Sequence, residues 1–325
     1  MTKWLGAFVL VGCLFGVSDA RSQSYPSRPI TIIVTSAAGG VTDVVARAVG
    51  QRLSEAWGQQ VIIENKGGAA HTIGAATVAK AAPDGYTLMV CESGTMVINP
   101  SLYAKGKLPY DSEKDFAPIT GLTRYAQALI THPSLPVQNV KDLIELAKAK
   151  PGEINYGTAG IGSAPHMNIA MLESMAGIKL APVHYRGAAP ALNDLIGGHI
   201  KLMSVSTTLS LEPARAGRVK MLGVGSLARL PQAPEMPTVS ESGLPGYEAP
   251  GWLGLFAPAA TPSDVVLKIN AEVQKIINDP DFRSKVLTPQ MFEPMASAPQ
   301  PFAESIRSEA AKWSKVIREA NLSIE

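Results

Sequence analysis

Cysteine is almost missing from this chain: 325 residues contain two, Cys13 and Cys91. Cys13 falls within an N-terminal segment read below as cleaved, which leaves one thiol and excludes an intramolecular disulfide. A chain of this length buries enough apolar surface to stand without one. Also absent are C-x-x-C, H-E-x-x-H, a Walker A loop, an EF-hand loop and a G-x-S-x-G elbow, so the common metal, nucleotide and nucleophile signatures are lacking. The five histidines, His71, His132, His166, His184 and His199, form no H-x-H or i,i+4 pair, and no metal site is expected. Gly160-Ile161-Gly162 lacks the third glycine of a dinucleotide fingerprint, so no cofactor is expected either. A marked excess of either charge is lacking too. Lys+Arg number 29 against 27 Asp+Glu, with no basic block, which argues against a nucleic-acid partner.

What is present is apolar: 46% hydrophobic residues against 17% charged gives a chain that folds around a sizeable core rather than staying disordered. Its length suits two medium lobes. Lys3 precedes an apolar run from Trp4 to Val17, and Ser18-Asp19-Ala20 then places small residues at the cleavage positions. Residues 1–20 therefore read as a secretory signal peptide, and the mature protein as soluble and exported. No later stretch reaches the ~20 apolar residues that span a bilayer. Leu10-Val11-Gly12-Cys13 is similar to a bacterial lipobox, but the apolar run continues through Leu14-Phe15, which favours cleavage over lipidation at Cys13.

From Ile30 onward, short β-rich runs alternate with helical patterns, the signature of an α/β fold with parallel sheets covered by helices. Ile30–Val34 reads as a strand. Gly39-Gly40 breaks it, and Thr42-Asp43 opens a helix whose Val45, Val49, Leu53 and Trp57 make one stripe ended by Gly58. Strands at 61–63 and 86–90, with a helix over 73–82 between them, complete a βαβαβ unit. A second unit begins with a strand at 128–131 and a helix capped by Asn139. It continues through strands at 154–157, 181–185, 200–205 and 219–224. One of its helices carries Met167, Met171 and Met175, read as core packing. A Pro- and Gly-rich stretch over 230–262 interrupts the alternation before two terminal amphipathic helices. The chain is expected to cross twice between two βαβ lobes, with a hinge at the crossings and a ligand cleft at the carboxyl ends of the strands.

Two strand-to-helix turns are alike in being small, hydroxyl-rich and flexible: Thr35-Ser36-Ala37-Ala38-Gly39-Gly40-Val41-Thr42-Asp43 and Gly157-Thr158-Ala159-Gly160-Ile161-Gly162-Ser163. Either can be an ordinary βα turn. Facing one another across a cleft, they can instead clamp a small organic acid between backbone N–H groups and helix N-termini. Four or five charge-assisted hydrogen bonds at roughly 1.5–3 kcal/mol each exceed the ~8 kcal/mol of micromolar binding, so no Lys or Arg is strictly required.

From Tyr25 to the carboxyl end the chain resembles the extracytoplasmic solute receptors of tripartite tricarboxylate transporters, often called the Bug family. The resemblance rests on Tyr25-Pro26-Ser27-Arg28-Pro29-Ile30, Gly39-Gly40-Val41-Thr42-Asp43, Glu64-Asn65-Lys66, the run from Ala79 through Pro83-Asp84-Gly85-Tyr86-Thr87-Leu88, and Asn99-Pro100-Ser101-Leu102-Tyr103. Tyr156-Gly157-Thr158 to Ser163 with His166, Tyr185-Arg186-Gly187, and Gly243-Leu244-Pro245-Gly246-Tyr247 continue it. It implies a periplasmic binding protein-like fold of type II, with one lobe from 25–123 plus 248–325 and another from 124–247. It also implies a monomeric periplasmic receptor, not an enzyme, that closes over a small mono- or dicarboxylate and hands it to integral membrane permease subunits. The ligand carboxylate is then expected at Ser36, Ala38, Thr42 and Asp43 of the first turn and at Thr158, Ser163 and His166 of the second, with Tyr185 nearby.

Asp43, an acceptor when ionised, is better suited to fixing its own turn than to touching an anion. His166 can donate to the ligand or bond within its own helix. Gly68-Ala69-Ala70-His71 replaces a usual G-A-G-G and puts an imidazole, His71, near the cleft mouth. Where many relatives carry Phe-Asp, this chain has Ser204-Val205, which points to a plain carboxylate rather than an amino acid. Two other readings compete: a periplasmic hydrolase using Ser163 and His166, and a ligand-sensing co-receptor for a membrane sensor.

Overall fold

The computed structural model describes residues 25–319 and 322–324; the expected signal peptide and Cys13 lie outside the described residues. Strand β1 (Ile30–Val34) is buried along nearly its whole length, as its unbroken apolar run requires. Helix α1 (Val41–Trp57) turns Val45, Val49 and Leu53 inward, and Gly58 ends it in the left-handed region with its N–H on the Ser54 carbonyl. β2 (Val61–Asn65), α2 (Thr72–Ala79) and β3 (Thr87–Glu92) complete the unit, with β1 paired in parallel to both β2 and β3. A π-helical turn over Gly94–Ile98 and the short α3 (Asn99–Leu102) follow β3.

β4 (Phe116–Thr131) then carries the chain into a second unit: α4 (Val140–Ala149), β5 (Asn155–Thr158), α5 (Ala164–Ala176), β6 (Ala181–His184), α6 (Ala188–Ile196), β7 (Leu202–Ser206), α7 (Thr207–Arg215) and β8 (Lys220–Val224). Asn139 caps α4, its side chain accepting the Asp142 N–H at 2.9 Å. β5 lies between β6 and β7, parallel to both. β9 (Pro250–Pro258) returns to the first unit, followed by α8 (Ser263–Asn278), the single turn α9 (Pro280–Phe282), β10 (Glu293–Pro294) and α10 (Pro299–Glu319).

The strand order β2-β1-β3-β9-β4-β7-β5-β6 contains one arrangement twice. In each half a parallel trio has its first strand in the middle and is closed by an antiparallel strand, β9 in the first and β4 in the second. β4 and β9 pair with each other over Phe116–Ala126, and the rest of β4 pairs with β7 and β8.

Three features depart from the sequence reading. β4 begins at Phe116 rather than near Ala128, because two bulges, at Pro118/Thr120 and Gly121/Thr123, break its alternation and hide the strand pattern. β9 lies inside the stretch read as an interruption. Its glycines admit rings, not turns: a Cβ on Gly254 would stand 2.6 Å from Phe302 Cζ. Helix α7, with Pro213 inside it, was not read at all.

One apolar core runs through both halves, from Ile33 and Met89 past Trp252 and Phe302 to Leu143 and Tyr156. α10 faces this core with Phe302, Ile306, Trp313 and Ile317, the stripe its sequence shows. Of the methionine stripe on α5, Met167 and Met171 are buried but Met175 is 41% exposed. Among the described residues no helix is long and apolar enough to cross a membrane.

Candidate functional site

The carboxyl ends of β1, β3, β5 and β6 converge on a cavity of about 350 Å³. From the first half come Thr35, Ser36 and Ala37 after β1, His71 at the start of α2, and Glu92 and Ser93 at the end of β3. The second half supplies the corner from Ala159 to Ala164 and Arg186, two residues past the end of β6. Ser36 and Ser163, one from each corner, therefore share a wall.

The cavity is poor in charge but rich in unused polar atoms. Thr35 is fully buried, and its Oγ1 and the Ser36 Oγ have no hydrogen-bond partner. A buried hydroxyl without a partner costs about 1–3 kcal/mol, and both of these belong to residues of the cavity wall. His71 holds a left-handed conformation with φ of 73°, and its Nδ1–H donates to the Thr35 carbonyl at 2.8 Å. That bond places the proton on Nδ1 and leaves Nε2 as the remaining polar atom of the ring.

The corner after β1 is fixed from behind. Asp43 Oδ2 accepts the Gly39 N–H at 2.8 Å and the Arg47 Nε–H at 3.0 Å, while its Oδ1 accepts from Asn65 Nδ2 at 2.9 Å. Asn65 also donates to the Ser36 carbonyl at 3.2 Å. Burial raises the Asp43 pKa, but the bonds from Arg47, Gly39 and Asn65 outweigh it and hold the carboxyl below the usual range. Thr42 is fully buried and donates to Glu92 Oε1 at 2.9 Å.

The corner after β5 is fixed without charge. Ser163 caps α5, and its Oγ donates to the Gly160 carbonyl at 2.7 Å. Thr158 Oγ1 accepts the Gly160 N–H at 3.2 Å and bonds to His184 Nδ1 at 2.8 Å. His166 Nδ1 accepts the Gly162 N–H at 3.1 Å. Burial, and then His184 beside it, lower the His166 pKa to about 4, so the ring is neutral at physiological pH and able to accept.

Of the nine residues singled out in the sequence, Ser36, His71 and Ser163 line the cavity. Thr42, Asp43, Thr158 and His166 stand behind it, where their side chains hold the corners. Ala38 is exposed on the loop outside the lining. Tyr185 points elsewhere: its hydroxyl donates to Asp194 Oδ2 at 2.6 Å, and burial together with that carboxylate pushes its pKa up to about 12. Its neighbour Arg186 takes the place on the wall. Glu92 and Arg186 were not singled out as ligands, although the rule that ligands sit at strand carboxyl ends marks both positions.

The arrangement gives no support to serine chemistry. Ser163 Oγ donates to a carbonyl, and the His166 nitrogen that could have served as its base is occupied by a backbone N–H. A larger cavity, about 580 Å³, lies between α5, the loop that leads from it into the amino end of β6, and the end of α10; His166 and Tyr156 also border it. It collects no carboxyl ends of strands. Among the described residues no group of three or more His, Cys, Asp or Glu is placed to hold a metal ion.

The chain as a whole has known counterparts. The family described as tripartite tricarboxylate transporter family receptor matches residues 45–322. The chain belongs to that family. A protein from the tcbD-tcbE intergenic region of Pseudomonas sp. strain P51 is 37% identical to this receptor-family chain over 303 residues, covering 93% of this chain and 89% of the relative. Among solved structures, R. palustris Rpa4515 with adipate is similar at TM-score 0.82 and 33% identity, over 92% of this chain and 99% of that one. MatC from Rhodopseudomonas palustris with bound malate is similar at TM-score 0.78 and 33% identity, over 90% and 100% respectively. The fold is that of periplasmic solute-binding receptors of this family.

Proposed function

We propose that this chain is a periplasmic receptor that closes over a small carboxylic acid and delivers it to a permease of integral membrane subunits. The observation that carries the reading is the single cavity shared by Ser36 and Ser163, with two buried, unpartnered hydroxyls among the residues of the first side and the start of α5 with Arg186 on the second. An anion there meets hydroxyl donors, a guanidinium and the positive end of a helix together. Two similar structures, Rpa4515 with adipate and MatC with bound malate, support a carboxylate as the guest. In this reading residues 25–123 with 248–325 form one lobe and 124–247 the other, moving about the β4–β9 ribbon. Residues 1–20 are the export signal.

Native mass spectrometry of the freshly purified mature protein tests the class of guest, and thermal unfolding with a panel of mono- and dicarboxylates tests its effect. A retained acid, or a rise of several degrees in Tm with compaction by small-angle scattering, is the expected result. A panel that neither shifts Tm nor compacts the protein overturns the reading.

A further inference from the structure

Glu92 and Arg186 bring opposite charges to one cavity from opposite halves. Glu92 ends β3 and is half-buried. The fully buried Thr42 hydroxyl donates to its Oε1, which fixes the carboxylate in place and leaves Oε2 without a side-chain donor among the described residues. Among the described residues no Lys, Arg or His pairs with it and Arg186 likewise lacks a carboxylate partner, whereas Asp43, in the first turn of α1 and outside the lining, has Arg47. An ionised carboxylate only accepts hydrogen bonds. A plain dianion bound beside Glu92 meets repulsion from that carboxylate and leaves its Oε2 without a donor. The expected loss of acidic character at Val205 does not bear on this cavity, because Val205 is buried in the apolar cluster with Ala191, Leu195 and Met203 and does not line the wall.

We propose that the cavity selects acids that carry a hydrogen-bond donor beside the carboxylate, an ammonium or a hydroxyl group, with Glu92 reading the donor and Arg186 taking the carboxylate. This rests on the receptor reading above and narrows its ligand class. One positive and one negative wall group match a zwitterion or a hydroxy acid better than a simple diacid. A site whose polar group is left unpaired by the wrong ligand discriminates strongly against it.

The test uses matched acids on four-, five- and six-carbon diacid frames: the plain acid (succinate, glutarate, adipate), its 2-hydroxy and its 2-amino counterparts, titrated calorimetrically into the mature protein. On the frame that binds best, the amino or hydroxy acid is expected to bind at least about tenfold more tightly than the plain acid. Glu92→Gln is expected to cost the amino acid about tenfold, leave the hydroxy acid nearly unchanged because the amide carbonyl still accepts, and strengthen the plain acid. Loss confined to the amino acid identifies ammonium as the group read; preference for the hydroxy acid identifies hydroxyl. Arg186→Gln should weaken all three together. Melting curves of the unliganded variants confirm that both fold. Plain acids that bind as tightly as their counterparts on every frame, or a Glu92→Gln variant that binds the plain acid no more tightly than the wild type does, overturn this inference and leave the receptor reading standing. Failure of every acid, in this series and in the wider panel, defeats both.

Discussion

At the corner after β1 the Gly39 N–H is taken by the Asp43 carboxylate; at the corner after β5 the Gly162 N–H is taken by the His166 imidazole, again four residues on. Each acceptor sits in the first turn of its helix and reaches back over the chain entering it, a variant of the capping box. The two differ in charge. Asp43 is ionised and held by Arg47 and Asn65 on a part of the corner that does not line the cavity. His166 stands three residues after Ser163, at the helix start that does line it, and burial keeps it neutral. The comparison teaches that the two corners share a backbone solution, while the surroundings of each acceptor decide its charge: Arg47, Gly39 and Asn65 hold Asp43 ionised, and burial beside His184 holds His166 neutral.

Removing the charged acceptor should do the most damage. Asp43→Ala leaves the Gly39 N–H and the Asn65 amide without their acceptor, and a loss of about 3–4 kcal/mol is expected by urea unfolding at neutral pH. Equal loss in Asp43→Asn and Asp43→Ala would show that charge contributes nothing to this corner.

Acid separates the corners next. The folded-state pKa of His166 lies near 4 and its ordinary value is 6.5, so the folded protein binds fewer protons than the unfolded one. The corresponding stability is complete above about pH 6.5 and is lost as the pH falls toward 4, about 3 kcal/mol in all. The Asp43 contribution also requires the deprotonated form, and it persists to lower pH because that carboxyl is held below the usual range. Stability measured between pH 7 and 4 should therefore fall in the wild type and stay flatter in His166→Gln; parallel curves would break the assignment.

Caps give the smaller effects. Ser163→Ala removes the α5 cap and should cost about 1 kcal/mol. α1 has no side-chain cap at Gly40, whose backbone is extended with φ of −78°, and an added Cβ would stand 3.4 Å from the Ala37 carbonyl oxygen. Gly40→Ser should raise stability by a few tenths of a kcal/mol. A loss in both variants would mean that the first corner depends on the freedom of its glycine.

The legible parts of the fold are those where neighbouring residues carry the signal. Val45, Val49 and Leu53 form a stripe because a helix returns every 3.6 residues, and they are buried together on α1. Asn139 announces α4 for a similar local reason. β9 could not be read this way, because Gly251 and Gly254 exist for rings brought in from Tyr125 and Phe302, residues distant in the chain. At the site, Ser36, Ser163 and His71 were legible as a hydroxyl-rich turn, a helix cap and an unusual imidazole. Arg186 was passed over for Tyr185, since only the pairing of Tyr185 with Asp194 shows which of two adjacent side chains turns away.

By itself the sequence determined two similar glycine-rich corners, the helices that follow them and the residues able to hold each turn, because these are short-range consequences of backbone geometry and side-chain hydrogen bonding. Only the tertiary structure decided that both corners open onto one cavity and that Glu92 and Arg186 face it together. That decision lies in the β4–β9 ribbon and the core running through both halves, where contacts between residues far apart in the chain set how one half meets the other.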